Sequence, residues 1–330
     1  MKHILLLATG GTIASQPTSE GLAPAGGAEY LSERLDFLRR DYELSIRSIL
    51  ELDSSNIQPE EWQLIARSVW AARDDYDGIV ISHGTDTMAY TASMLTYMLL
   101  GIGLPVVLTG SQLPLDHPLS DGTDNLRAAF AMAASGRRGV FVAFDRKILL
   151  GCRAVKTHTM DFAAFESVNH PPVGRVSAAG LTIDDGAIPR FEGPCVLRDA
   201  LCREVFLLKL TPGLDPRIFD MLLERHYRGL LIEAFGAGGL HFIRRNLVEE
   251  LRRVTRAGMC VVVSSQCLYE SSDFRLYQTG QKVLEQGAIE ARDMTTEAAV
   301  TKLMWALGQT DSVDEVRRLF SQSLAGEMAT

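Results

Sequence analysis

Three short stretches of this chain carry hydroxyl side chains beside glycine: Thr9-Gly10-Gly11-Thr12, His83-Gly84-Thr85-Asp86-Thr87 and Thr109-Gly110-Ser111-Gln112. Glycine lets a backbone turn sharply and brings its N–H groups up to a ligand. A threonine hydroxyl is a weak nucleophile until a neighbouring group takes its proton. Asp86 supplies a carboxylate in the second stretch. Lys156, in Arg153-Ala154-Val155-Lys156-Thr157, supplies an amine that can complete a relay when partly desolvated. These residue types suit nucleophilic catalysis. Their spacing leaves a second reading open, in which the loops are ordinary strand-to-helix punctuation and Lys156 is a surface cation.

Other chemistries find less support. Residues 9–14 match neither GxGxxG nor the P-loop pattern, and the lone Gly236-Ala237-Gly238-Gly239 loop is weak support for an anion cradle. The seven histidines show no HExxH or other ligand spacing, and His83 reads as structural in its turn. No metal or cofactor is expected. With 33 basic against 41 acidic residues, a net charge of -8 and no run of like charge, nucleic acid and anionic membrane are not expected partners. Five scattered cysteines, with no CxxC, fit reduced thiols in the cytosol. The apolar start at 4–8 breaks at Thr9, short of a signal-peptide core, and the apolar stretch 99–108 is interrupted by Gly101, Gly103 and Pro105. A cytoplasmic protein is expected.

The elements that must position these residues follow from periodicity. Runs at 4–8, 78–82, 104–109 and 140–144 are rich in Ile, Val and Leu without polar alternation, as in strands buried on both faces. Trp62, Ile65, Ala66 and Val69 recur at helical spacing behind Pro59; Leu126, Ala129, Phe130 and Ala133 do so behind Asp121 or Thr123 as a cap. Alternating strands and helices predict a mostly parallel sheet covered on both faces. Residues 178–198 turn rich in Gly, Pro and Asp, which predicts hairpin turns and then a linker. Strands at 205–210, 229–234 and 259–264, helices at 219–227 and 247–257, and a last helix with Val300, Leu303, Met304 and Leu307 on one face complete the reading. The expected fold is two-domain α/β: an N-terminal domain, 1–190, with a mostly parallel sheet flanked by helices, and a smaller C-terminal α/β domain, 191–330. Ligands of such sheets bind beyond the carboxyl ends of the strands, where all three hydroxyl-bearing stretches fall.

The segments Leu5-Leu6-Leu7-Ala8-Thr9-Gly10-Gly11-Thr12-Ile13-Ala14 and His83-Gly84-Thr85-Asp86-Thr87-Met88 resemble the two signatures of the L-asparaginase/glutaminase family. The likeness continues through Asp53-Ser54-Ser55, Thr109-Gly110-Ser111-Gln112, the Lys156 segment, Ser265-Gln266-Cys267 and Met294-Thr295-Thr296-Glu297-Ala298 to Lys302-Leu303. The Asp53-Ser54-Ser55 variant is most similar to bacterial cytoplasmic type I members. The resemblance implies hydrolysis of asparagine to aspartate and ammonia, with Thr12 as nucleophile and Thr85, Asp86 and Lys156 as a second catalytic group. It implies that Ser54 and Ser55, beside Asp53, contact the substrate α-carboxylate, and that Asp86 pairs with its α-ammonium. Backbone N–H groups near Thr85 and the Gly10-Gly11 turn would hold an oxyanion. Ser111 is a further candidate.

The resemblance also implies a homodimer or homotetramer with sites between subunits. The stretch 269–277 would then close a neighbour's site, with Glu270 or Asp273 as contacts to the ammonium; a solvated acidic loop is the other reading. The sequence departs from the family at Leu22, in Gly21-Leu22-Ala23-Pro24, where many members place a tyrosine; Tyr269 and Tyr277 are candidate substitutes. Glu233 stands where some cytoplasmic members carry an arginine for allosteric asparagine. Two other functions compete: the amide-releasing subunit of a tRNA-dependent amidotransferase, which usually carries an extra N-terminal domain, and a binding module without turnover. Retention of Thr12, Thr85, Asp86 and Lys156 together argues against the binding module.

Overall fold

Strands whose side chains are buried on both faces build the centre of the first unit, and the amphipathic segments between them cover it. The computed structural model describes residues 1–19, 21–24, 27–276 and 278–329 and divides the chain into Met1–Asp199 and Ala200–Thr330. In the first unit β1 (Lys2–Gly10) is followed by a hairpin of β2 (Ser15–Thr18) and β3 (Gly21–Pro24), then α1 (Gly27–Arg34) and β4 (Tyr42–Leu52). Next come α2 (Pro59–Ala72), β5 (Gly78–Ser82), α3 (Met88–Met98), β6 (Pro105–Thr109), α4 (Gly122–Ala133) and β7 (Gly139–Phe144). The unit continues through β8 (Lys147–Leu150), β9 (Ala154–Lys156), β10 (Phe165–Ser167), β11 (Gly174–Ser177) and β12 (Gly180–Ile183).

The main sheet has the order β12-β11-β8-β7-β6-β5-β1-β4. From β7 to β4 neighbouring strands pair in parallel, and β8, β11 and β12 extend the other edge antiparallel. β1 lies between β4 and β5, so the chain leaves it first to one side and then to the other. That reversal opens a crevice at the carboxyl ends, the place where sheets of this kind bind ligands.

The runs expected at 4–8, 78–82, 104–109 and 140–144 become β1, β5, β6 and β7, and the two amphipathic stretches become α2 and α4. Pro59 opens α2, while the Gln58 N–H donates to Glu61 Oε2 at 2.8 Å. Among the elements that escape the sequence reading, two show why. β4 is an edge strand, its Tyr42, Leu44 and Ile46 only half-buried and alternating with Glu43, Ser45 and Arg47. α3 is buried almost all round, so it shows no polar face to reveal a helical period. Residues 174–183 form the β11–β12 hairpin. Residues 191–199, which the sequence reading placed at the start of the C-terminal domain, pack within the first unit. The Arg198 N–H donates to Met98 O at 2.9 Å, the Phe191 ring lies against Gly101, and Arg67 Nε pairs with the Asp199 carboxylate at 2.5 Å.

The second unit contains β13 (Val205–Lys209), α5 (Ile218–Glu224), β14 (Gly229–Ala234), α6 (Leu247–Arg256), β15 (Cys260–Ser265), α7 (Gln278–Glu285), β16 (Ile289–Glu290), α8 (Thr296–Gln309) and α9 (Val313–Phe320). Its sheet is parallel throughout in the order β13-β14-β15-β16. α6 buries Leu247, Leu251 and Val254, each contributing about 2 kcal/mol, and starts where Asn246 Oδ1 accepts from the Val248 and Glu249 N–H groups. Its core includes Phe219, Leu230, Ile232, Val261, Val263 and Phe274. Among the described residues no helix is long and apolar enough to cross a membrane.

Candidate active site

Three loops meet at the carboxyl ends of β1, β4 and β5. Gly11, with φ +80°, donates its N–H to Leu52 O at 3.0 Å, tying the loop after β1 to the end of β4. A Cβ on Gly11 would lie 2.4 Å from the Gly84 nitrogen, and one on Gly84 would lie 2.6 Å from Ser54 Oγ. Glycine at 11 lets the two backbones touch, and glycine at 84 leaves room for the Ser54 side chain. Thr12 begins the 3-10 turn Thr12–Ala14 and is half-buried. Ser15 Oγ donates to Gly11 O at 2.9 Å and braces that turn.

Thr85 and Asp86 leave β5 and meet Lys156 at the end of β9. Lys156 Nζ stands 2.8 Å from Thr85 Oγ1 and 2.6 Å from Asp86 Oδ1. The lysine side chain is 16% exposed and the aspartate 63%, so the pair places a largely covered ammonium behind a carboxylate that faces outward. Ser54 Oγ accepts the Asp86 N–H at 3.2 Å, and Thr87 Oγ1 donates to Ser54 O at 2.7 Å. Asp53 Oδ1 accepts both the hydroxyl of Ser55, at 2.5 Å, and its N–H, at 2.8 Å. The Ser55 hydroxyl and then its N–H hold the Asp53 carboxyl below the usual carboxylate range.

His83 secures the turn from beneath. It is fully buried, and desolvation pushes its pKa down to about 4. A neutral ring donates from Nδ1 to Gly84 O at 2.7 Å and accepts at Nε2 from Thr91 Oγ1 at 2.9 Å. Thr91 in turn accepts from Trp62 Nε1 at 3.0 Å. The imidazole has a structural part in this arrangement, as its sequence context suggests.

Thr85, Asp86, Lys156, Ser54 and, through the Gly11–Gly84 contact, the Thr12 turn are thus drawn to one crevice. Ser111 Oγ donates to Leu113 O at 2.5 Å and serves its own turn. The expected role of the Gly10-Gly11 turn as an oxyanion donor is altered, because the Gly11 N–H is occupied by Leu52 O. Tyr269, Glu270 and Asp273 belong to the second unit; Tyr269 is exposed, and Asp273 Oδ1 accepts the Arg275 N–H at 2.9 Å. Tyr277 lies outside the described residues, as does the side chain of Leu22, whose backbone pairs with Pro17. Glu233, at the end of β14, accepts from Thr296 Oγ1 at 2.5 Å. The Gly238 and Gly239 N–H groups both donate to Phe235 O, so neither is turned towards an anion.

Two residues beside the site have parts that the sequence did not assign them. Gln112 Oε1 accepts from Thr85 Oγ1 at 3.3 Å. Asp121, with Thr123 one of two residues expected to cap α4, stands at the N-cap position but turns its carboxylate to the N–H groups of Gln112 at 3.0 Å and Leu113 at 3.2 Å, and to Nδ2 of Asn125 at 2.9 Å. The only sequence signal for Gln112 was its place in the third glycine-bearing stretch. Among the described residues, no group of three or more His, Cys, Asp or Glu is placed to hold a metal ion.

Fold and site together define an α/β protein with a hydroxyl–amine–carboxylate centre at its topological switch point. The family profile described as Asparaginase, N-terminal matches residues 3–188, and that described as Glutaminase/Asparaginase C-terminal domain matches 204–320. The chain belongs to the asparaginase/glutaminase family. It is 42% identical over 327 residues to an L-asparaginase of Thermococcus kodakarensis, covering 98% of each chain. The solved structure of the thermostable L-asparaginase from that organism superposes with a TM-score of 0.92 at 42% identity, covering 99% of each chain. L-asparaginase 1 of Escherichia coli is 34% identical, covering 99% of this chain and 98% of that protein. A glutamyl-tRNA(Gln) amidotransferase subunit of Thermococcus kodakarensis is 35% identical over 99% of this chain and 77% of that protein.

Proposed function

We propose that this protein hydrolyses the side-chain amide of L-asparagine to L-aspartate and ammonia, without a cofactor. The observation that carries the reading is the contact of Lys156 Nζ with Thr85 Oγ1 at 2.8 Å, beside Asp86 and the Thr12 turn. Thr12 Oγ attacks the amide carbon, its proton leaves with the departing ammonia, and water then cleaves the acyl-threonine ester. The Thr85–Lys156–Asp86 group takes up the proton released by that water, and Thr12 Oγ regains a proton as the ester bond breaks. The N–H groups of Thr12 and Thr85 receive the developing oxyanion, Ser54 holds the α-carboxylate, joined by Ser55 when its hydroxyl turns from Asp53, and Asp86 holds the α-ammonium. The protein acts in the cytoplasm as a homodimer or homotetramer, and Tyr269, Glu270 and Asp273 reach a neighbour's site.

A second reading, the amide-releasing subunit of a tRNA-dependent amidotransferase, draws on the glutamyl-tRNA(Gln) amidotransferase relatives. Within Thermococcus kodakarensis the chain is nearer the L-asparaginase, at 42% against 35%. Ammonia release by the pure protein from asparagine and glutamine separates the readings. Turnover of asparagine without any partner, lost by ~10²–10⁴-fold in Thr12→Ala and Lys156→Met, is the expected result. Binding of asparagine without turnover would refute hydrolysis, and turnover that appears only with a second protein and charged tRNA would favour the amidotransferase.

A further inference from the structure

Gln112 is held from three sides. Its Nε2 donates to Thr159 O at 3.1 Å and to Asp161 O at 3.0 Å, and its own N–H donates to the Asp121 carboxylate. Backbone carbonyls only accept, so these two bonds fix which end of the amide is nitrogen. The remaining end, Oε1, faces Thr85 Oγ1 at 3.3 Å and can only accept, so the Thr85 proton points at Gln112. With its proton committed there, Thr85 Oγ1 meets Lys156 Nζ with a lone pair, at 2.8 Å. The polarity of the whole chain, Lys156 to Thr85 to Gln112, is therefore imposed by two carbonyls of the segment 157–164. That segment begins one residue after Lys156, and the Thr157 N–H donates to Ala164 O at 2.8 Å to close it.

We infer that Gln112 is a positioning residue for the hydrolysis proposed above, on which this inference rests. Anchored on residues 159 and 161, it sets the direction of the Thr85 hydroxyl and couples the placement of that segment to the chemical step. Gln112 does not touch the reacting amide in this account; it acts through Thr85.

Steady-state kinetics on Gln112→Leu and Gln112→Glu, run beside the parent protein and Thr85→Ala, test the inference. Leu keeps apolar bulk but loses the acceptor and both donors; Glu keeps an acceptor for Thr85 and loses the donors. One neutral hydrogen bond corresponds to roughly a three- to tenfold rate effect, so kcat of Gln112→Leu should fall by that factor with KM within about twofold. Gln112→Glu should recover part of the loss, which a packing role would not produce. A kcat for Gln112→Leu within about 1.5-fold of the parent overturns the inference, as does an equal loss in the Leu and Glu variants or an effect confined to KM. If the parent is inactive or Thr85→Ala retains full rate, the hydrolytic reading itself fails and takes this inference with it. If the parent is active, Thr85→Ala is inactive and Gln112→Leu is normal, only the inference about Gln112 fails.

Discussion

His83 should make the first unit sensitive to mild acid in a way that one substitution removes. The imidazole is fully buried and hydrogen-bonded as a neutral ring, and burial brings its pKa from an ordinary 6.5 to about 4. Between those two values the unfolded chain binds a proton that the folded chain refuses. Stability therefore rises with pH across the window and is lost as pH falls through it. Integrating the difference from about pH 7 to about pH 5 gives a loss of about 2 kcal/mol from this group alone. His83→Gln keeps a donor and an acceptor on the same side chain but cannot take up a proton. Urea unfolding of both proteins at several pH values isolates the effect, because every other titrating group is common to the pair. The parent should lose about 2 kcal/mol more than His83→Gln between about pH 7 and 5. Equal pH slopes for the two proteins would show that His83 is not held neutral, and the chain from Trp62 through Thr91 to Gly84 would have to be redrawn.

Gly11→Ala should abolish activity beyond any loss of stability, since its Cβ would fall 2.4 Å from the Gly84 nitrogen in a backbone conformation of φ +80°. Ammonia release from asparagine, measured beside a thermal melt, checks this, and a variant with near-parental turnover would contradict the close approach of the two loops. Lys302→Met should destabilise the second unit by about 3–5 kcal/mol, because it strands a buried carboxylate. Lys302 Nζ pairs with Glu327 Oε1 at 2.5 Å, both side chains being fully buried, and Glu327 also accepts the Leu324 and Ala325 N–H groups of the C-terminal tail. Denaturant unfolding reads the loss, and a shift below about 1 kcal/mol would count against a charged pair at this position.

Much of the first unit was legible before folding, and the reasons are local. The Val, Ile and Leu runs of β1, β5, β6 and β7 declare burial on both faces, and Trp62, Ile65, Ala66 and Val69 declare one face of α2. Thr12, Thr85 and Asp86 were legible as chemistry because each follows a strand end beside glycine. Periodicity reports which way a side chain faces, not which distant side chain it will meet. Lys156 lies 71 residues from Thr85, on the separate β9–β10 pair, and only the folded chain brings Nζ within 2.8 Å of the hydroxyl. The same holds for Gln112, whose direction depends on carbonyls 47 and 49 residues later, and for Asp121, drawn away from capping α4 to hold the loop that carries Gln112. β4 and α3 escaped for opposite reasons, one too exposed and the other too buried to show a contrast between faces. Residue types and local pattern thus set the elements and the reactive groups. The pairing of those groups was left to tertiary structure, because a hydrogen bond between distant segments exists only once the strands between them have taken their places.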